Sequence, residues 1–127
     1  PSTTVFQAAS PSYMGIYMNT TVEPFDNVLV RKAIQAATDR ETILQAALLG
    51  KGGIASDHPI PPSDPVFASQ YAPPDYDIDL AISLLEQAGH TDGIDLTLFT
   101  SAAGAPMVEM AVVETKTSLT PSCFPLR

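Results

Sequence analysis

The chain has one cysteine, two histidines and only six basic residues, and each shortage removes a class of function. Cys123 alone closes no internal disulfide and supplies no Cys-x-x-Cys metal pair. His58 and His90 have neither a second histidine nor a cysteine at metal-ligand spacing. Fourteen acidic residues against six basic ones leave a net charge of −8, which repels nucleic-acid backbones and anionic membranes. The acidic residues are spread along the chain, as on a solvated surface. No apolar run reaches the roughly 20 residues of a membrane-spanning helix. The chain opens on Pro1 without a signal-peptide pattern, so the expectation is an internal piece of something longer.

What is present suffices for one domain. The hydrophobic fraction is 45 %, too high for wholesale disorder, and twelve prolines point to many connecting segments. Residues 1–12 read as a lead-in. Ser12 to Thr20 alternates Tyr13, Gly15, Tyr17 and Asn19 against Met14, Ile16 and Met18, the period of a strand. After a turn at Pro24, with Asp26 as helix cap, a first helix buries Val30, Ala33, Ile34 and Ala37, with Arg31 and Lys32 on its solvated side. Thr38 and Glu41 have capping-box spacing, which starts a second helix with Ile43, Leu44, Ala47 and Leu48 inward and Gly50 as its stop. The stretch from Asp57 to Asp75 is a long proline-rich connection, of a length that is often functional when ordered.

Asp75 to Glu86, DYDIDLAISLLE, carries acidic residues at places one, three, five and twelve, the ligand spacing of an EF-hand calcium loop. The sixth place, however, is Leu80 where that loop needs glycine. Leu80, Ala81, Leu84, Leu85 and Ala88 instead form one apolar helical face. The stretch therefore reads as a helix with Asp77 as N-cap, Asp79 in the first turn and Gly89 beyond the last residue. A second strand follows at Ile94 to Ser101, with Ile94, Leu96 and Leu98 on one side. A helix with Pro106 near its first turn then stops at Val113. Residues 114–127 have no helical period and read as a disordered or frame-shifted tail, or a natural truncation. The predicted class is α/β, a few strands and about four helices.

Catalytic patterns are thin. Ser101 ends a strand, but no Gly-x-Ser-x-Gly elbow surrounds it, and a triad with His58 or His90 rests on composition alone. Residues 101–106, SAAGAP, lack the lysine and glycines of a phosphate loop.

The order of motifs is more specific than any one of them. YMGIYMNT, PFDNVLVRKAIQAATDRETIL, LGKGGIASDHPIPPSDP and YDIDLAISLLEQAGHTDGIDLTLF together resemble the family 5 solute-binding proteins of bacterial ABC importers, the oligopeptide- and dipeptide-binding group, over Tyr13 to Val113. Ile78 stands where the family usually has proline, and Leu29 where an arginine often precedes Val-Arg. The resemblance implies part of the second lobe of a periplasmic-binding-protein type II fold, here residues 13–113. It implies an exported or periplasmic receptor, not an enzyme, with no cofactor. Such a receptor closes on a peptide or similar solute and presents it to a membrane permease. Two places in this piece would approach the solute: Tyr17, Met18 and Asn19 in the first strand, and Thr100, Ser101, Ala102 and Gly104 after the second. Dipeptide-binding members offer an arginine near the latter loop; Ser-Ala-Ala-Gly-Ala offers none, so a carboxylate clamp is not expected there. The rival readings are a free-standing α/β interaction module using the proline-rich loop, and, third, a small serine hydrolase.

Overall fold

The structure is a computed structural model and describes residues 3, 4, 6, 12–60, 64–68, 70, 75–104 and 106–117, with side chains to residue 114. Most of the lead-in, part of the proline-rich connection and the tail beyond Thr117 lie outside the described residues. Among the described residues four helices follow in order: α1 Val28–Ala37, α2 Arg40–Leu48, α3 Ile78–Gln87 and α4 Met107–Thr117. Helix α1 packs on α3, and α2 packs on α4.

Alanine spacing explains the first pair. Val30, Ala33, Ala36 and Ala37 of α1 are buried against Ala81 and Leu85 of α3, with Ile94 beside them. Ile34, Ile78, Leu84, Ala88 and Leu96 close over this core. Small side chains at the contact let the two helix axes approach closely. Burying Val30, which has no exposed surface, contributes about 2 kcal/mol. The α1 face is as expected, with Ile34 half-buried and Ala36 added to it. On α3 the face is rotated: Ile78 joins it, whereas Leu80, expected inside, is 44 % exposed.

Each of the first three helices is capped by a short acidic or amide side chain. The Leu29 N–H donates to Asn27 Oδ1 (2.9 Å), the Thr42 N–H to Asp39 Oδ1 (2.9 Å) and the Leu80 N–H to Asp77 Oδ1 (2.9 Å). Asp77 caps as expected. The other two caps sit one residue beyond the expected Asp26 and Thr38. Thr38 is unavailable because its hydroxyl turns back to the Ile34 carbonyl (2.8 Å) and to Glu114 (2.9 Å). Arg31, expected in solvent, is half-buried and donates from Nη1 to the carbonyls of Phe25 (2.7 Å) and Asp26 (3.0 Å).

The helix stops differ. After α3, Gly89 has φ +92°, its N–H donates to the Glu86 carbonyl (3.0 Å), and the His90 N–H donates to Leu85 (2.9 Å). This is a Schellman stop with glycine at its left-handed position. After α2 the expected Gly50 is left-handed (φ 71°) and its N–H reaches the Leu44 carbonyl (3.1 Å), and Leu49 just before it is left-handed too (φ 54°). A non-glycine residue there costs on the order of 1 kcal/mol.

The two expected strands are not strands here. Residues 12–19 and 93–100 have no regular secondary structure, and no strand occurs among the described residues. Thus the α/β class is not reached within them. A strand exists only through pairing, and no backbone hydrogen bond joins these two segments. The inward-outward alternation survives in part: Ile94 is buried and Leu96 half-buried, while Asp95 and Thr97 are exposed. Leu98, expected on the same side, is 37 % exposed. Helix α4 runs on through Glu114 to Thr117, past the expected stop at Val113.

Candidate functional site

The first candidate segment is open to solvent. Tyr17 is 81 % exposed and Tyr13 49 % exposed, Met18 is half-buried, and Asn19 is exposed. A hydrogen bond with Tyr13, and then the repulsion of its phenolate, raises Tyr17 above the usual phenol range. Asn19 Oδ1 accepts from the Thr21 N–H (3.1 Å) and from Thr21 Oγ1 (2.8 Å), and the Val22 N–H donates to the Asn19 carbonyl (3.3 Å). Asn19 thus shapes the turn that leads towards α1, and its amide nitrogen is left over for another acceptor.

The second segment is a turn anchored to α4. Thr100 Oγ1 donates to the Met107 carbonyl (3.2 Å), and the Met107 N–H donates to the Gly104 carbonyl (3.0 Å). Ser101 Oγ accepts from the Ala103 N–H (3.1 Å). Ala102 is exposed. Gly104 is half-buried, and a Cβ there would stand 3.3 Å from Met107 Sδ. No hydrogen bond or ion pair joins residues 17–19 to residues 100–104.

Ser101 makes no hydrogen bond to His58 or His90. His58 Nδ1 accepts from the Ile60 N–H (3.3 Å), so the neutral ring carries its proton on Nε2. Its ring lies 5.1 Å from that of Phe67. His90 serves the α3 stop through its backbone. No group of three or more metal-ligating side chains occurs among the described residues.

Two contacts between side chains distant in sequence also escaped sequence reasoning. Arg40 Nη2 pairs with Asp57 Oδ2 at 2.8 Å, tying the start of α2 to the proline-rich connection. Thr38 and Glu114 meet across 76 positions. A charged residue in a helix gives no local sign of such a partner.

The family model described as bacterial extracellular solute-binding proteins, family 5 middle, matches residues 1–117, ending at the last residue of α4. The chain belongs to that family. The glutathione-binding protein GsiB of Salmonella choleraesuis strain SC-B67 is 41 % identical over 95 residues, which are 73 % of this chain and 18 % of that relative. GsiB of Escherichia coli strain K12 is 40 % identical over 95 residues, with the same coverage. GsiB of Shigella flexneri serotype 5b is 40 % identical over 96 residues, again 73 % of this chain and 18 % of the relative. The matched stretch is thus less than a fifth of the length of these relatives. No helix of the described residues is long and apolar enough to cross a membrane.

Proposed function

We propose that this chain forms part of the extracytoplasmic solute-binding receptor of a bacterial ABC importer. Within such a receptor it supplies a piece of the second lobe of a periplasmic-binding-protein type II fold, spanning residues 13–113. The receptor closes on a peptide or peptide-like solute and hands it to a membrane permease, with no covalent chemistry and no cofactor. The observation that carries this reading is the family match over residues 1–117. The glutathione-binding relatives favour a short peptide as the solute.

Tyr17, Met18 and Asn19 form one solute-facing segment in this reading, and Thr100, Ser101, Ala102 and Gly104 the other. Their exposure, apart from half-buried Met18 and Gly104, suits groups that wait for a solute. An exposed phenol offers a flat apolar face with a polar tip at low entropic cost. By contrast, the loop offers hydroxyls and backbone amides but no cation, which suits a peptide's backbone better than its carboxylate.

The test is a graft. The matching 95 residues of the Escherichia coli relative are replaced by those of this chain, and calorimetry follows binding of glutathione and a panel of di- to pentapeptides. A folded graft that binds a peptide with Kd around micromolar supports the reading. A folded graft that binds none of the panel overturns it. The chain alone is expected to bind weakly or not at all, because among the described residues no hydrogen bond or ion pair joins its two solute-facing segments.

A further inference from the structure

The anchorage of α4 is unusual in kind. Met107, Val108 and Val112 are exposed, and Met110, Ala111 and Val113 only half-buried. Among the described side chains of α4, the one that is buried is a carboxylate, Glu114, at 5 % exposure. One of its partners is the hydroxyl of Thr38, 2.9 Å from Oε1. Thr38 sits between α1 and α2, and the same hydroxyl is shared with the Ile34 carbonyl of α1 (2.8 Å). At the other end of α4, Thr100 and Gly104 bond to the first residue of the helix. A continuous path therefore runs from the Thr100–Gly104 loop, through two turns of helix, to the α1–α2 junction.

We propose that Glu114 is a positioning residue for the Thr100–Gly104 loop: through Thr38 it latches α4, and with it the loop, to the α1–α2 junction. A buried polar pair fixes one register where an apolar stripe permits sliding. Burial of the Glu114 carboxyl group costs free energy, and the bond at Oε1 offsets part of that cost only in the register where Thr38 stands. The proposal rests on the reading of that loop as solute-facing. Its test uses no solute, so a failed latch and a failed receptor reading show up in different experiments.

Amide hydrogen exchange is followed in the chain and in Thr38→Val, Thr38→Ser and Glu114→Gln variants. Valine keeps the shape of threonine and removes the hydroxyl. Exchange at the Met107 and Met110 amides is expected to quicken by about tenfold in Thr38→Val, while α1 and α3 amides such as Ala81 and Leu85 stay within about twofold. Thr38→Ser restores the original rates. Glu114→Gln keeps an acceptor at the same place. Combining it with Thr38→Val is expected to quicken exchange by less than the product of the two single effects. Equal acceleration in both helix pairs, no acceleration at Met107, no rescue by serine, or strictly multiplicative effects would overturn the latch.

Discussion

The backbone N–H of Asp77 donates to the Ala36 carbonyl at 2.9 Å, so the residue that starts α3 is fixed to the last turn of α1. The same residue caps its own helix by accepting from the Leu80 N–H (2.9 Å). One aspartate thus joins two jobs: its backbone satisfies a carbonyl that α1 leaves unpaired, and its side chain satisfies an amide that α3 leaves unpaired. Replacement Asp77→Ala removes only the second bond and should lower stability by about 1 kcal/mol, while Asp77→Asn stays within a few tenths of that of the parent chain. Urea unfolding measures both. Calcium should not shift either midpoint, because Asp77 Oδ1 is committed to a backbone amide; a calcium-dependent rise would restore the loop reading of DYDIDLAISLLE.

Gly89 ends α3 with φ +92°, and nothing lies within 4 Å of where its Cβ would stand. A Gly89→Ala substitution therefore meets no steric obstacle beyond its own backbone. Its cost is the left-handed conformation alone, about 1 kcal/mol. Asparagine tolerates that region better, so Gly89→Asn should cost less than Gly89→Ala in the same unfolding measurement. Equal stability of all three chains would mean that the Schellman stop is not maintained in solution.

How much of this could be read from the chain depends on the range of each interaction. Asp77 and Gly89 were legible because cap and stop chemistry is decided within five residues. The α1 face was legible because Val30, Ala33 and Ala37 repeat at helical spacing. Asp26 against Asn27, and Thr38 against Asp39, were not separable, since both members of each pair have cap chemistry and Thr38 is taken out of contention by the Ile34 carbonyl and the distant Glu114. The two strands were over-read for a related reason. Alternation at Ile94 and Leu96 reports which side is buried, whereas a ladder needs a partner that the pattern does not name. Of the candidate site, the chain showed which segments carry polar and aromatic groups at turns. It gave no sign of the bonds that tie Thr100 and Gly104 to Met107.

The Tyr13–Tyr17 pair has a pH signature. The hydrogen bond with Tyr13, followed by phenolate repulsion, raises Tyr17 above the ordinary phenol value. The folded chain thus holds the Tyr17 proton more tightly than the unfolded one. Its contribution to stability is present below the unfolded phenol range and fades as pH climbs through the raised value. A Tyr13→Phe substitution removes both main causes, so Tyr17 should ionise nearer the ordinary range. Following the Tyr17 ring carbons by NMR through an alkaline titration reads this directly. An unchanged Tyr17 titration in the variant would show that the two phenols are not paired in solution.

The last expectation concerns how a solute is held. The loop from Thr100 to Gly104 presents Thr100 Oγ1, Ser101 Oγ and small side chains, and Ser101 Oγ already accepts from the Ala103 N–H. Arginine would make two parallel charge-assisted bonds to a terminal carboxylate, and no residue of this loop can do so. In the grafted receptor, peptides with free and amidated C-termini should therefore bind with affinities within about threefold, less than the roughly 1.5–3 kcal/mol that a bond to a charged group contributes. Substitution Ala102→Arg adds the missing cation at an exposed position. It is expected to favour the free carboxylate without altering the unfolding midpoint. A strong preference for the free carboxylate in the unsubstituted graft would place its anchor on this loop's backbone amides or elsewhere in the receptor; loss of that preference on Ser101→Ala would assign it to the loop and refute the expectation.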